Sequence, residues 1–350
     1  MEVPKEADSS ENLHDKSRPG KLLIDLTRDC LVSAVQYSNH TQRDDGHWCG
    51  ELRANATISA EYVFLYQALE LDLTNSRDPL CQWLLSQQQV DGSWSIAPDY
   101  PGDVSTTVEV YLALKILNIS TNDPAMGRAR AFILGAGGVS KIRVFTRVYL
   151  ALFGLFSWDD VPELPAELIF MPSWSPINIY KFSSWARSTI VPLLILHHHR
   201  PVFPLPNGTS ASNDYLDELW CGPKKNVPYA KSLYALSQTD GIALLFAVID
   251  KILSYLNGLR SFFPRNRARR LCVEWILEHQ DKSGDWAGIF PPMHFGLLAL
   301  VLEGHKIEDD CVQRGLSAIE RFAWQDGGGK KNPILCVPGV GFCADEHWYQ

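Results

Sequence analysis

A seven-residue pattern, Gln-x-x-x-Gly-x-Trp, occurs three times, at residues 42–48, 88–94 and 280–286. It constrains the fold more than any other feature, because self-similarity marks an architecture built from repeated units. Each copy follows an apolar helical stretch, at 31–37, 83–85 and 273–277, so each is a helix-to-helix turn. In such a turn Gly46, Gly92 and Gly284 supply a tight or left-handed backbone. Gln42, Gln88 and Gln280 bond the loose backbone groups of the helix end, and Trp48, Trp94 and Trp286 cover the turn as flat plugs. Three unrelated helices closed by chance with Gly and Trp are the alternative. Amphipathic stretches at 22–39, 57–72, 78–88, 105–118, 126–135, 144–157, 178–198, 242–257, 266–280, 294–304 and 310–323 predict a helical chain, with strand signals almost absent. Thr57 and Ser59, and Ser105 and Thr106, stand where N-caps are expected.

Composition narrows the partners. With 46% hydrophobic residues the 350-residue chain can bury a substantial core, and a net charge of -8 without a dense Lys/Arg stripe argues against nucleic acid. The first twenty residues are polar, lack the apolar core of a secretory signal and read as a disordered tail. The longest apolar run, 242–252, is interrupted by Asp250 and Lys251 and falls short of the roughly 18 to 20 residues that span a bilayer, so a soluble or monotopic protein on the cytoplasmic side is expected. Eight scattered cysteines without a Cys-x-x-Cys pair suggest reduced thiols rather than a zinc site or disulfide framework. His197, His198 and His199 point about 100° apart on a helix and cannot converge on one ion; a cationic cap at the helix C-terminus is the better reading. No metal and no cofactor is implied.

The three turns, together with Asp45-Gly-His-Trp-Cys-Gly-Glu51, Ala60-Glu-Tyr-Val63, Arg143-Val-Phe-Thr-Arg-Val-Tyr-Leu-Ala-Leu152, Asn178-Ile-Tyr-Lys-Phe-Ser-Ser-Trp-Ala-Arg187, Pro201-Val-Phe-Pro-Leu-Pro206 and Gly284-Asp-Trp-Ala-Gly-Ile-Phe-Pro-Pro292, resemble the squalene-hopene cyclase branch of the terpene cyclases. The likeness runs from about residue 25 to about residue 320. It implies an all-α fold of α/α (α6-α6) barrels: a tail at 1–20, the start of the catalytic barrel at 21–55, an inserted barrel at 56–290, re-entry into the catalytic barrel at 291–330 and a divergent tail at 331–350. It also implies a class II, isomerase-type reaction, in which a protonated squalene or related polyene closes into a pentacyclic hopanoid-type triterpene. A pocket for such carbocations must exclude water and offer aromatic faces.

The family's proton comes from an Asp-x-Asp-Asp motif that this sequence does not contain. The pairs Asp44-Asp45, Asp159-Asp160 and Asp309-Asp310, and the single Asp103, read as caps or solvated charges. The chain is therefore expected to be a truncated or split form, inactive alone, with a complementing C-terminal half, a homodimer or a non-catalytic lipid-binding role as the options. An α/α-barrel glycosidase would need two positioned carboxylates.

By the same resemblance Glu61 matches a carboxylate at the far end of the cavity, where a water network quenches the last cation, and Arg143 pairs with that network. An exposed helix glutamate and a surface arginine are the alternatives. Phe182 and Trp185 match cavity or entrance aromatics and Ile190 an entrance position, with ordinary core the alternative. Tyr149 and Met293 stand where tryptophans are expected, which bears on product identity. The apolar run 242–256, followed by Arg260, Arg265, Arg267, Arg269 and Arg270, reads either as a helix lying on a membrane surface or as a barrel helix with a solvated end.

Overall fold

The computed structural model describes residues 19–42, 44, 46, 48, 51–53, 55–175, 178–222, 225, 227, 233, 237, 241–258, 265–325 and 331–338. Most of the expected tail at 1–20, the end of the tail at 331–350 and Arg260 lie outside them. The chain divides into two compact units, residues 1–50 with 338–350, and residues 51–337. In the first, α1 (Pro19–Thr41) carries the first repeat turn at its end: Gln42 Nε2 donates to the Gly46 carbonyl at 2.8 Å and Trp48 Nε1 to the Ser38 carbonyl at 2.6 Å.

The larger unit is helical. Its helices are α2 (Ala56–Ala68), α3 (Arg77–Ser86), α4 (Val104–Ile116), α5 (Pro124–Gly135), α6 (Val144–Ala151), α7 (Ser184–His199), α8 (Gly241–Gly258), α9 (Arg265–Glu278), α10 (Phe290–Leu302) and α11 (Asp310–Phe322). Two kinds alternate along the chain. In α3, α5, α9 and α11 one stripe is buried: Leu80, Cys81 and Leu84; Met126, Ala129 and Ile133; Ala268, Cys272, Trp275 and Ile276; Val312, Gly315 and Ile319. That spacing is one face of a 3.6-residue period, the mark of an outer layer. By contrast α2, α4, α6, α10 and the middle of α7 are buried around almost their whole circumference, as helices apolar on every side must be. Helix α4 packs on α2, α3 and α5, α7 packs on α9 and α10, and α10 returns to pack on α2 as well as α11. Inner helices wrapped by outer ones form the all-α, α/α barrel arrangement.

The repeat turns hold successive outer helices together. Gln88 Nε2 donates both to Gly92 O at 3.0 Å and to Ala125 O in the first turn of α5 at 2.8 Å; Gln280 Nε2 donates to Gly284 O at 2.9 Å and to Cys311 O in the first turn of α11 at 2.8 Å. Each glutamine thus ties the end of one outer helix to the start of the next. Trp94 Nε1 and Trp286 Nε1 donate back to Leu84 O and Ile276 O at 2.7 and 2.8 Å, and both indoles are completely buried, whereas Trp48 is half exposed. Glycine is required twice over at Gly92 and Gly284: φ is +88° and +92°, and a Cβ would stand 2.6 Å from the Arg128 carbonyl carbon and 2.4 Å from the Arg314 carbonyl oxygen.

Several local expectations are corrected. The cap of α2 is Asn55, whose carboxamide accepts from Thr57 N, and that of α4 is Asp103, which accepts from Thr106 N at 2.7 Å; the Ser/Thr residues after them are inside the helices. Helix α6 stops at Ala151 rather than 157, because Gly154 turns left-handed at φ +69° with a backbone carbonyl, Ser210 O, where a Cβ would lie. Helix α7 starts at Ser184 rather than 178, the residues before it forming a separate 3-10 turn, Ile179–Lys181, capped by the Asn178 side chain. A small sheet, unforeseen in the sequence, joins β1 (Glu51–Arg53), β2 (Ala323–Gln325) and β3 (Lys331–Pro338) in the order β1-β3-β2, with β2 and β3 antiparallel and Ala323 opposite Leu335. Asp160 is not a solvated charge: it is 4% exposed and accepts from Val227 N at 3.1 Å, with Arg147 beside it.

His197 and His198, at the end of α7, are not part of a cationic cap. Burial pushes His197 down to about 3 and His198 down to about 4, so both are neutral, while His199 Nε2 bonds Glu303 Oε1 at 2.7 Å. His197 lies edge-on to Trp158, 5.3 Å between ring centroids, with no partner for Nε2. An unfolded histidine takes up a proton below about 6.5 and this one does not until about 3, so its contribution weakens the fold as pH falls through that window. Replacing His197 with Phe should leave stability at pH 7 nearly unchanged and recover roughly 2 kcal/mol of what the chain loses between pH 7 and 4.5. Urea unfolding at the two pH values checks this; an unchanged acid-side loss would mean that the imidazole is not held neutral.

Candidate functional site

Three inner helices bring a polar cluster into the apolar interior. Helix α2 contributes Glu61 and α4 contributes Glu109, 7% and 1% exposed; α6 contributes Thr146 and Tyr149, 0% and 2% exposed. Each glutamate sits in a helix otherwise buried all round, so the packing that makes the inner layer also removes both carboxyls from water. The Tyr149 hydroxyl stands by the Glu61 carboxyl and favours its ionised form, and the Thr146 hydroxyl donates to Glu109 Oε1. The second carboxyl oxygen of each glutamate, Oε2, is buried without a hydrogen-bond partner. Tyr149 is fixed by rings on three sides: it stacks on Phe295 at 5.2 Å, lies 5.8 Å from Phe64 and receives the edge of His294 at 5.1 Å.

The electrostatics follow from this burial. Loss of solvent, and then the neighbouring Glu109, hold Glu61 well above the usual carboxyl range, with the Tyr149 hydroxyl and Arg143 opposing. Burial pushes Glu109 up to about 7, against the pull of the Thr146 hydroxyl and Arg143. A carboxyl in an apolar site keeps its proton because the charged form is disfavoured there. Burial thus favours the protonated form of Glu61, while Glu109, near 7, can give or take a proton at neutral pH.

Arg143 caps the cluster toward solvent. As the N-cap of α6 its backbone N–H donates to Ser105 Oγ at 2.9 Å, and its guanidinium, 41% exposed, stands 3.4 Å from Thr106 Oγ1 and 3.9 Å from Asp103 Oδ1 at the start of α4. The starts of α4 and α6 thus lie together, and the half-exposed Arg143 cation acts electrostatically on both buried carboxyls, Glu61 and Glu109.

Of the residues singled out in the sequence, Glu61, Arg143 and Tyr149 share this cluster. Met293 is buried in the core on α10, 1% exposed, and Ile190 is half buried on α7. Phe182 and Trp185 stand at the head of α7 and are exposed, 48% and 59%, as is Tyr180, which has the Arg187 guanidinium 6.0 Å from its ring centroid. They belong to a surface, not to the buried cluster. Glu109, Thr146 and His294 were not singled out. Glu109 carried a usable signal, as the lone charge in Val108-Glu-Val-Tyr-Leu-Ala-Leu114; so did His294, the one titratable residue in Phe290-Pro-Pro-Met-His-Phe295.

The family model described as the squalene-hopene cyclase N-terminal domain matches residues 31–328. The chain is 54% identical over 316 residues to squalene hopane cyclase afumA of Aspergillus fumigatus, covering 89% of this chain and 42% of that protein. It is 47% identical over 313 residues to enfumafungin synthase efuA of Hormonema carpetanum, covering 89% and 24%, and 37% identical over 271 residues to a squalene–hopene cyclase of Alicyclobacillus acidocaldarius, covering 77% and 41%. The chain spans less than half the length of each of these relatives.

Proposed function

Because the chain belongs to the squalene-hopene cyclase family through the N-terminal domain of that family, we propose that it supplies the reaction-ending half of a proton-initiated triterpene cyclase acting on squalene or a related polyene and giving a pentacyclic hopanoid-type product. The observation that carries this reading is the proton-bearing Glu61–Glu109 cluster in an otherwise apolar barrel. The reaction needs one proton given at the start and one removed at the end. In the last step a C–H bond next to the cationic carbon breaks, its electron pair becomes the final double bond, and the proton must find an acceptor in a dry site. Glu61 takes the released proton as it hands its own to ionised Glu109, and water then removes the proton from Glu109, with the half-exposed Arg143 guanidinium stabilising the carboxylate that forms. The starting acid is expected from the portion of the relatives' length that this chain does not span.

Membrane association is part of the proposal. Helix α8 exposes Ile242, Leu245, Phe246, Ile252 and Tyr255, a stripe at helical spacing on an 18-residue helix. No helix among the described residues is long and apolar enough to cross a bilayer. A helix of this kind lies in the interface with its apolar face down. Only part of the nearby basic segment is available to headgroups, since Arg265 pairs with Glu167 at 3.0 Å and Arg269 grips Glu303 at 2.8 Å through two nitrogens.

The test is incubation with squalene and product analysis by gas chromatography and mass spectrometry. The chain alone should give no polycycle, and the chain combined with the C-terminal portion of an afumA-like relative should give one. A polycycle from the chain alone would mean that a carboxyl within these residues starts the reaction. Tight polyene binding without product from the combined halves would favour a lipid-binding role instead.

A further inference from the structure

The sequence of α8 holds one acidic and one basic residue, Asp250 and Lys251, and the structure treats them differently. Lys251 is exposed beside the apolar stripe, whereas Asp250 is half-buried and its Oδ1 accepts from the Glu163 backbone N–H at 2.7 Å. Ala243, half-buried, and Ala247, 6% exposed, lie on the same side of the helix as Asp250, at i, i+4 and i+7 spacing. These three residues make the inner face of α8. The bond that Asp250 makes reaches a firmly held segment. The Glu163 carboxyl, 7% exposed, is gripped by Arg200, the left-handed C-cap of α7, whose other terminal nitrogen meets Asp159 at 2.7 Å. Pro162 and Pro165 stiffen the chain on either side of it. The 3-10 turn that follows, Ala166–Phe170, packs on α7 and α9, and Arg265 of α9 pairs with Glu167 at 3.0 Å. The Glu163 N–H is thus fixed to the barrel, and Asp250 is the side chain through which α8 holds on to it.

We infer that Asp250 is a positioning residue that sets the rotation of α8 about its own axis, so that Ile242, Leu245, Phe246, Ile252 and Tyr255 face outward toward a lipid bilayer surface. A carboxyl left unbonded on the inner face would cost free energy there. The helix would roll to bring it to water, and the apolar stripe would turn with it. With Asp250 bonded, the polar group stays inside and the outer face keeps its large apolar side chains. Lys251, at the edge of that face, can lay its stem along apolar surface and reach a lipid phosphate with its ammonium. The lipid consequence rests on the membrane association proposed above, whereas the rotation rests on the bonds among Asp250, Glu163 and Arg200.

The experiment uses the whole 350-residue chain, flotation with vesicles of phosphatidylcholine and phosphatidylglycerol, and amide hydrogen exchange read by mass spectrometry. Asp250→Ala removes the acceptor, and Asp250→Asn keeps an acceptor oxygen while removing the acidic group. In Asp250→Ala the Glu163 amide should exchange at least about tenfold faster, the loss of one good hydrogen bond. Its vesicle partitioning should fall by about tenfold, roughly one apolar side chain withdrawn from the lipid. Asp250→Asn should stay near the parent in both measurements. If α8 met lipid through its composition alone, removing an acidic residue would tighten binding in both variants. Vesicle binding by Asp250→Ala that equals or exceeds the parent's would therefore overturn the inference, as would unchanged exchange at Glu163. Should Asp250→Ala fail to fold, exchange in the parent decides: a slowly exchanging Glu163 amide supports the role, and one in free exchange overturns it. If the parent itself stays off the vesicles, the membrane reading has failed, and the exchange comparison alone judges whether Asp250 holds α8.

Discussion

Trp286→Ala should cost about 3–5 kcal/mol, the usual range for deleting a fully buried large aromatic. A single domain is stable by only about 5–15 kcal/mol, so this change leaves the barrel marginal or unfolded at room temperature. The indole does three things at once. It fills space against Gly315, where a Cβ would stand 3.0 Å from the ring, it packs over Gly296, and its N–H meets the Ile276 carbonyl at the end of α9. Trp94→Ala should cost a similar amount for the same reasons. Trp48→Ala should cost under about 1 kcal/mol, because that ring is half exposed and little apolar contact is lost. Urea unfolding of the three variants gives the comparison. Equal losses at all three turns would mean that the repeat acts through a local bond alone and not through burial.

Glu61→Gln should stabilise the chain at neutral pH and do nothing at pH 4. An unfolded glutamate loses its proton near 4.3, whereas Glu61 and Glu109 hold theirs far longer, Glu109 to about 7. Between those values the folded chain binds more protons than the unfolded one, so stability falls as pH rises through the window. Glutamine stays neutral at every pH and removes that loss; for Glu109→Gln, with a window from about 4.3 to about 7, the gain is roughly 3 kcal/mol at pH 8. Glu109→Gln should behave in the same direction. The measurement is the melting temperature from pH 4 to 8. A constant gap between parent and variant across that range would show that neither carboxyl is held protonated.

Much of the architecture was legible because its signals are local. A glutamine, a glycine and a tryptophan at fixed spacing announce a turn whose bonds are made mostly within ten residues, and the three turns have those bonds. The single-stripe pattern of α5 and α11 is likewise readable from period alone. The cap of α2 was not, since Asn55, Thr57 and Ser59 are all good capping residues and only backbone geometry selects Asn55. The short sheet at 323–338 escapes a pattern reading because its strands follow a strongly amphipathic helix and include Asn332 and Pro333. Within the site, Glu61 and Arg143 were found through resemblance, whereas the nearness of the Tyr149 hydroxyl to Glu61 was not foreseen, since that residue was expected to offer a π surface. The histidines at 197–199 look charged in the sequence because a helix end favours cations; burial of His197 outweighs that preference.

The central claim is that the buried carboxyl pair receives the proton that ends the proposed cyclisation. Product analysis of the combined halves carrying Glu61→Gln, with squalene as substrate, tests it most directly. The account predicts that substrate is still consumed while the yield of the parent olefin falls at least about tenfold, the loss of one positioned proton acceptor, replaced by alcohols or by olefins formed at earlier cations. An unchanged product profile at an unchanged rate would contradict it.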